Sequence, residues 1–592
     1  MSVSKVKRSY IRDLYLSSNE KTFQYEESLP SLPVPDLSQT LAKYLKSIKP
    51  FVTEEQFNNT KEIVKKFENG IGKSLQEKLR EKASKSKNWR MAIHLFNLLD
   101  AFQVIREERL RPQATRKGNK LSMEQFRYLF CANREPHKDV DKLASYFKTK
   151  AEGSCPNHVI IMCNGHIWII TPFHSEVMFV NKEFFSFKDK TFSVPEIMHQ
   201  IKYIEEQSHA LGRGQEIGAL TFDYRDSWAE NRELLKSLSD ENRKNLHLIE
   251  SSMLVYSMEE KSPQSFTDLA QLSFSDNIGN RWADRSYGAI TFKNGMQASN
   301  NDHTPYDGLV TIIIGHYQHE ITTEEFEGKW DGPNDVGELE VPKRLVFKLN
   351  QDLLMSMKKI KVFSQAMIDG IDIRISFFDD FGKNWIKKQN LHPDSFLQCA
   401  LQLAYYKLHN KFAPTYETAT ARLFYKGRTE TCRSCTVEVV DFVKTMMSPT
   451  ATVPVKRSKL IHAVTTHLNL MKECTEGQGI DRHLMGLSLI AAELGLPELE
   501  ITKDPSYTLS GGGGNFVLST STSGYTYGLG GVAAMVKDGY GVFYAFLPDV
   551  DKIAFWLTNY KEGNTDVDKY FQSLVESFRS MKEILTLPHS TL

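Results

Sequence analysis

The chain has 592 residues, 41% of them hydrophobic and 25% charged, which suits a globular protein of more than one domain. Its 74 basic and 73 acidic residues leave a net charge of +1, without the basic bulk that a nucleic-acid partner calls for. No apolar run approaches the roughly 20 residues needed to cross a bilayer, so an integral membrane protein is not expected.

Taken in chain order, the first 25 residues carry Lys5, Lys7, Arg8 and Arg12 but no apolar stretch, so no secretory signal is expected; a mitochondrial-type presequence stays open. Residues 29–35 read as an extended, proline-stiffened lead-in. Helices are predicted over 37–48 and again after Thr53-Glu54-Glu55-Gln56, which has capping-box form. This helical pattern runs to about 84 and meets a charged break at 85–88. Strands are predicted at 159–162 and 167–170, joined by a tight turn at Asn164-Gly165-His166, and at 289–292 and 309–314. Further on come helices over 395–408 and 482–494, strands at 515–519, 532–536, 540–546 and 553–557, and a closing helix over 567–584. The pattern is an α/β chain in two lobes that meet near 345–350.

Of the seven cysteines, only Cys432 and Cys435 stand at metal-like spacing, with no second pair to complete a zinc site. All seven are expected to be reduced and structural, and no metal site is expected.

The run Asn301-Asp302-His303-Thr304-Pro305-Tyr306-Asp307-Gly308 has an unusual grammar, His-x-x-x-Asp-Gly. Imidazole alone among side chains titrates near neutrality, so His303 suits proton removal from an alcohol or thiol. Asp307 can fix the local geometry, and Gly308 allows a tight turn. Lys383 and Lys387 are four apart, on one face if helical, and suit either a phosphate or a solvated lysine face. Hydroxyls of Tyr416, Thr418 and Thr429 stand near Arg428 and Arg433, as a small-carboxylate site or as an ordinary strand surface. Arg482 opens an apolar helix beside Asp481. The tetraglycine Gly511–Gly514 is either a linker or a place where backbone passes close to a ligand. It lacks the Gly-Lys-Ser/Thr ending of a phosphate loop, so a nucleotide triphosphatase is not expected.

These blocks, with Leu220-Thr221, Trp228-Ala229, Asn280-Arg281-Trp282-Ala283-Asp284 and Asp538-Gly539-Tyr540-Gly541, occur in an order that resembles the choline/carnitine acyltransferase family. The resemblance implies an α/β fold of two chloramphenicol-acetyltransferase-like domains, each a mixed sheet flanked by helices, with the site in a tunnel between them. It divides the chain into an N-terminal helical segment (1–89) packing with the C-terminal lobe, a domain carrying His303 (90–347) and a domain carrying the coenzyme A and carnitine sites (348–592). It implies that His303 is the general base for direct attack of carnitine's hydroxyl on the acyl thioester, without an acyl-enzyme, and that Ser521 is the oxyanion donor, with Asp307 beside the base. Lys383 and Lys387 would hold the coenzyme A 3′-phosphate, with Asp394 near the pantetheine arm and Thr522 among the coenzyme A contacts. Tyr416, Thr418, Thr429 and Ser519 would bind carnitine, and Arg482 would oppose its carboxylate. Gly530 and Val532 would set acyl length, with Gly530 leaving room for a medium chain of octanoyl type. An ion pair between Asp307 and Arg428 is our own expectation.

Coenzyme A or acyl-coenzyme A is then a co-substrate rather than a resident cofactor, and the chain is expected to be a monomer. The peroxisome is the expected compartment, with mitochondrial matrix or cytosol behind it, since Ser590-Thr591-Leu592 resembles a peroxisomal tripeptide only at its ends. One departure stands out. After Asn88-Trp89 the family continues through a tryptophan-rich segment of a few dozen residues, whereas here Trp89 runs directly into Arg90-Met91-Ala92. The alternative reading is therefore an impaired family member that binds acyl-coenzyme A without efficient turnover. Smaller departures are Thr522, Ala533 and Ala534.

Overall fold

The structure is a computed structural model that describes residues 36–49, 52–73, 75–76, 87–115, 117–180, 183–320, 336–524, 526, 528–547 and 550–587. The lead-in at 29–35, the helical pattern expected over 77–84 and the C-terminal tripeptide lie outside them.

Helices Leu37–Ile48 and Glu54–Phe67 form as expected. Thr53 Oγ1 accepts from Gln56 N at 3.3 Å while Gln56 Oε1 accepts from Thr53 N at 2.9 Å, a reciprocal capping box. No described helix is long and apolar enough to cross a membrane.

In chain order the strands are β1 (Ala132–Glu135), β2 (Lys142–Ser145), β3 (Val159–Cys163), β4 (His166–Ile170), β5 (Phe173–Val180), β6 (Glu183–Thr191), β7 (Val255–Met258), β8 (Gly288–Thr291), β9 (Gln297–Ser299), β10 (Lys343–Leu345), β11 (Ile371–Phe378), β12 (Thr415–Thr420), β13 (Thr429–Cys432), β14 (Leu518–Gly524), β15 (Tyr540–Phe546) and β16 (Ile553–Tyr560). They build two mixed six-stranded sheets, ordered β10-β4-β3-β7-β8-β9 and β11-β16-β15-β14-β12-β13, and two two-stranded ribbons. Helices flank both sheets, so the fold is α/β as expected.

β3 is buried along its whole length, as a continuous apolar run at a sheet centre should be. Its alternate residues feed two cores. Val159, Ile161 and Cys163 pack beneath helices Lys87–Arg106, Val194–Ala210 and Gly308–Glu320, while Ile160 and Met162 pack with Leu353, Met357 and Ile360 of helix Gln351–Asp369. The second sheet buries one face against helices Pro393–His409, Val453–Thr475 and Val567–Thr586. Its other face meets the first lobe.

Three predicted strands are corrected. Residues 309–314 belong to helix Gly308–Glu320. Their isoleucines and valine favour a strand locally, but Val310, Ile314 and Gln318 are the buried positions, at helical spacing, and tertiary packing prevails. Residues 532–536 form no strand; that stretch crosses the face of the second sheet, with Thr558 Oγ1 donating to the Val532 carbonyl at 2.9 Å. The strand predicted at 515–519 starts later, at Leu518, and follows the short 3-10 turn Gly512–Gly514.

Candidate active site

The loop bearing His303 is fixed from several sides. Gly288 N donates to Asn301 Oδ1 at 3.1 Å, and Asp302 N donates to the Arg285 carbonyl at 3.0 Å. Tyr306 is buried, its hydroxyl donating to the Ser286 carbonyl. His303 Nδ1 lies 2.9 Å from the Tyr306 carbonyl. A carbonyl can only accept, so Nδ1 carries a proton, and in the neutral ring the lone pair is on Nε2. That is the tautomer a general base needs.

The block Asn280–Asp284 is the scaffold beneath this loop. Arg281 pairs with Glu259, and Asp284 accepts from Arg225 Nη1 at 2.6 Å and from Trp228 Nε1 at 2.7 Å. Burial pushes the Asp284 carboxyl up to about 6.

From the second lobe, Arg428 reaches across to donate to the carbonyls of His303 (3.0 Å) and Thr304 (2.5 Å) and to Asp307 Oδ1 (2.9 Å). The expected Asp307–Arg428 ion pair is present. Gln125 holds Asp307 from the other side, donating to Oδ2 at 3.0 Å and accepting from the Asp307 amide at 2.8 Å. Gln125 Nε2 also lies 3.3 Å from the Gly427 carbonyl. Gln125 is buried and stands far from His303 in sequence, so no local signal could have found it.

The imidazole of His303 is exposed, which departs from the closed passage expected for it. Helix Lys87–Arg106 runs uninterrupted through Trp89 and Met91, where the family is expected to carry an extra segment.

Strand register sorts the other candidates by face, because directly paired residues project to the same side. Tyr416 pairs with Ser519, Ser519 with Gly541, Ser521 with Phe543, Thr418 with Thr431 and Thr420 with Thr429. Tyr416, Thr418, Thr429, Ser519 and Ser521 therefore share the face opposite the one packed under helices Pro393–His409, Val453–Thr475 and Val567–Thr586. Thr418 Oγ1 donates to the Tyr416 hydroxyl at 3.4 Å. Arg482 joins them through Thr429, donating to its carbonyl from Nε at 3.0 Å and to Oγ1 from Nη2 at 3.4 Å. Its neighbour Asp481 is engaged by Arg433 through two contacts of 2.8 Å.

Thr522 pairs with Tyr544 on the opposite, helix-covered face, and Asp394, at the start of helix Pro393–His409, accepts from the Tyr544 hydroxyl at 2.6 Å. Asp394 and Thr522 thus lie on the other side of the sheet from Ser521. Lys383 and Lys387 stand one turn apart on helix Lys383–Lys388. Asp551 caps that helix, accepting from Asn384 N at 2.8 Å and Trp385 N at 3.3 Å, so an anion here would be held by lysine ammonium groups rather than helix amides. Gly382 makes the cap possible, since a Cβ there would lie 2.6 Å from the Asp551 backbone. Gly530 and Val532 are exposed, in the segment that crosses the Ser521 face.

On the helix side, Glu417 and His467 are fully buried and 2.6 Å apart, and His467 Nδ1 lies 2.8 Å from Ser395 Oγ. Burial first, then Glu417, pushes Asp394 up to about 7, and burial pushes Glu417 up to about 8. Cys432 is close by, but both ring nitrogens of His467 are already in hydrogen-bond contact. Glu417 sits inside the Tyr416–Thr420 motif, and strand alternation alone would have assigned it to the face opposite Tyr416 and Thr418. None of the seven cysteines is in a disulfide.

The family profile described as Choline/Carnitine o-acyltransferase matches residues 32–92 and 90–576, in two pieces that overlap at residues 90–92. The chain is 37% identical to the peroxisomal carnitine O-octanoyltransferase of Bos taurus over 623 aligned residues, covering 97% of this chain and 99% of that protein. The alignment is longer than the chain, so the relative carries stretches that this one lacks. Identity to the carnitine O-acetyltransferase of Homo sapiens is 27%, over 95% of this chain and 94% of the relative. Among solved structures, the wax ester synthase/diacylglycerol acyltransferase of Marinobacter aquaeolei VT8 aligns with a TM-score of 0.26 at 10% identity, over 56% of this chain and 80% of that one. With a family profile matched along most of its length and a relative 37% identical over 97% of it, this chain belongs to the choline/carnitine O-acyltransferase family.

Proposed function

We propose that the protein transfers a medium-chain acyl group, of octanoyl type, reversibly between coenzyme A and the hydroxyl of carnitine. The observation that carries this reading is the hydrogen bond from His303 Nδ1 to the Tyr306 carbonyl, which leaves Nε2 as the proton acceptor at the lobe junction. Nε2 takes the proton from carnitine's hydroxyl, a step worth roughly 10²–10⁴-fold. The oxygen then attacks the thioester carbon directly. Ser521 donates to the oxyanion. When the intermediate collapses, the C–S bond breaks and the departing thiolate takes the proton from Nε2.

Asp307, pinned by Arg428 and Gln125, is a positioning residue for this loop. Tyr416, Thr418, Thr429 and Ser519 share the acceptor's face, and Arg482, anchored at Thr429, supplies the cation for carnitine's carboxylate. That cation favours carnitine over choline, which has no carboxylate. Lys383 and Lys387 would take the coenzyme A 3′-phosphate, whereas Asp394 and Thr522, across the sheet from Ser521, would not touch the thioester. Octanoyl preference and a peroxisomal location rest on the relatives' names, and a monomer remains our expectation. Residues 90–347 and 348–592 are taken as the two domains, with 1–89 ahead of them.

The test is release of free thiol from octanoyl-coenzyme A by purified protein, with carnitine or choline as acceptor. Carnitine-dependent release with formation of octanoylcarnitine is expected; release with choline alone would refute the acceptor assignment. A second reading, acyl-coenzyme A binding without efficient turnover, is favoured by the two-piece family match and by the exposure of His303. Saturable binding with no thiol release would establish it.

A further inference from the structure

The register of the second sheet puts Ser521 at the head of an apolar row. Ser521 pairs with Phe543, Phe543 with Trp556, and Trp556 with Ile375, so all four project from one face. Trp556 is 9% exposed and packs in a cluster with Ile373, Phe543, Leu529 and Ala533. The segment around Gly530 lies over this face. A Cβ on Gly530 would meet nothing within 4 Å, whereas a Cβ on Gly531 would lie 2.5 Å from Trp556 Cδ1 and 2.7 Å from Phe543 Cδ2. The segment therefore closes on the sheet at Gly531, against the indole, and stays open at Gly530.

We propose that Trp556 is the end wall of the acyl-chain site and that Gly531 is the residue that lets the indole stand there. The inference rests on the acyl-transfer reading and deepens it by naming what limits the chain. Adjacent strands lie about 4.8 Å apart, so Trp556 stands roughly 10 Å across the sheet from Ser521. An extended alkyl chain with C–C bonds of about 1.5 Å advances about 1.3 Å per carbon, so that span holds about eight carbons. A chain whose carbonyl sits at Ser521 and which runs along Phe543 meets the indole at about that length. Trp556 Nε1 is buried without an acceptor, so shape alone holds the ring, and removing it strands no polar partner.

The experiment compares wild type with Trp556→Ala for octanoyl-, dodecanoyl- and palmitoyl-coenzyme A, reading kcat/KM with carnitine and, in parallel, the equilibrium Kd of each acyl-coenzyme A. The binding arm needs no turnover, so failure of the transfer reading (no thiol release from wild type) is told apart from failure of this one. The palmitoyl-to-octanoyl ratio is expected to rise at least tenfold in Trp556→Ala. A ratio unchanged in both kcat/KM and Kd overturns the proposal. Should the alanine variant not fold by circular dichroism, Trp556→Leu keeps an apolar side chain on the strand and is expected to gain on dodecanoyl-coenzyme A; no gain overturns the proposal equally.

Discussion

Arg428→Ala is the sharpest perturbation of the catalytic loop that leaves the imidazole itself in place. The guanidinium bridges two main-chain carbonyls of the loop and the Asp307 carboxylate. The Arg428 side chain is 39% exposed, so its ion pair is discounted for solvent to about 0.5 kcal/mol. The two carbonyl contacts together add about 1.5 kcal/mol. Roughly 2 kcal/mol of local anchoring corresponds to about thirtyfold in the population of the competent loop. Thiol release from octanoyl-coenzyme A is therefore expected to show kcat down by tenfold to thirtyfold, with KM for acyl-coenzyme A changed by no more than about twofold. Arg428→Lys should recover little, because a single ammonium cannot bridge three acceptors in a fixed fork. Wild-type kcat in Arg428→Ala, or full rescue by lysine, would refute the positioning role.

Three further outcomes follow from the same geometry. Arg482→Ala removes the cation beside Thr429 and is expected to raise KM for carnitine about tenfold at saturating acyl-coenzyme A, the loss of one charge-assisted contact; an unchanged KM would remove Arg482 from the acceptor site. Asp394 and Glu417 are raised to about 7 and 8 from ordinary values of 3.8 and 4.5, so the folded pair retains protons that the unfolded chain has released. Stability from this pair is present below the ordinary values and is lost as pH rises toward 8. The lowered His467 acts oppositely, costing stability as pH falls below its ordinary 6.5. Asp394→Asn should therefore make the fall in melting temperature between pH 6 and pH 9 shallower; an equal or steeper fall would contradict proton retention at Asp394. Gly530→Met introduces a side chain where the structure has open space, and is expected to shift selectivity toward acetyl-coenzyme A; unchanged chain-length selectivity would exclude position 530 from the acyl path.

Where one periodicity prevailed along the chain, the elements were legible in advance. Helices Pro393–His409, Asp481–Glu493 and Val567–Thr586 and strands β3, β4, β15 and β16 fall where apolar spacing put them. Residues 309–314 misled because isoleucine and valine favour a strand locally, whereas they pack against helix Lys87–Arg106 as part of helix Gly308–Glu320. The His303 loop and the Asp307–Arg428 pair could be anticipated because the motif residues carry distinctive chemistry. Gln125 could not, since a buried glutamine meeting a loop far along the chain leaves no pattern in either segment. The division of Ser521 from Thr522 and Asp394 by sheet face was implicit in strand alternation, but it needed the register to be read. The exposure of His303 was not legible, since the motif alone gives no account of what packs over it.

The central claim is that His303 Nε2 takes the acceptor's proton. Single-turnover thiol release from saturating octanoyl-coenzyme A on adding carnitine, compared between wild type and His303→Ala, tests it most directly. The expected result is a rate lower by roughly 10²–10⁴-fold in the variant while octanoyl-coenzyme A still binds. Equal rates in the two proteins would contradict it.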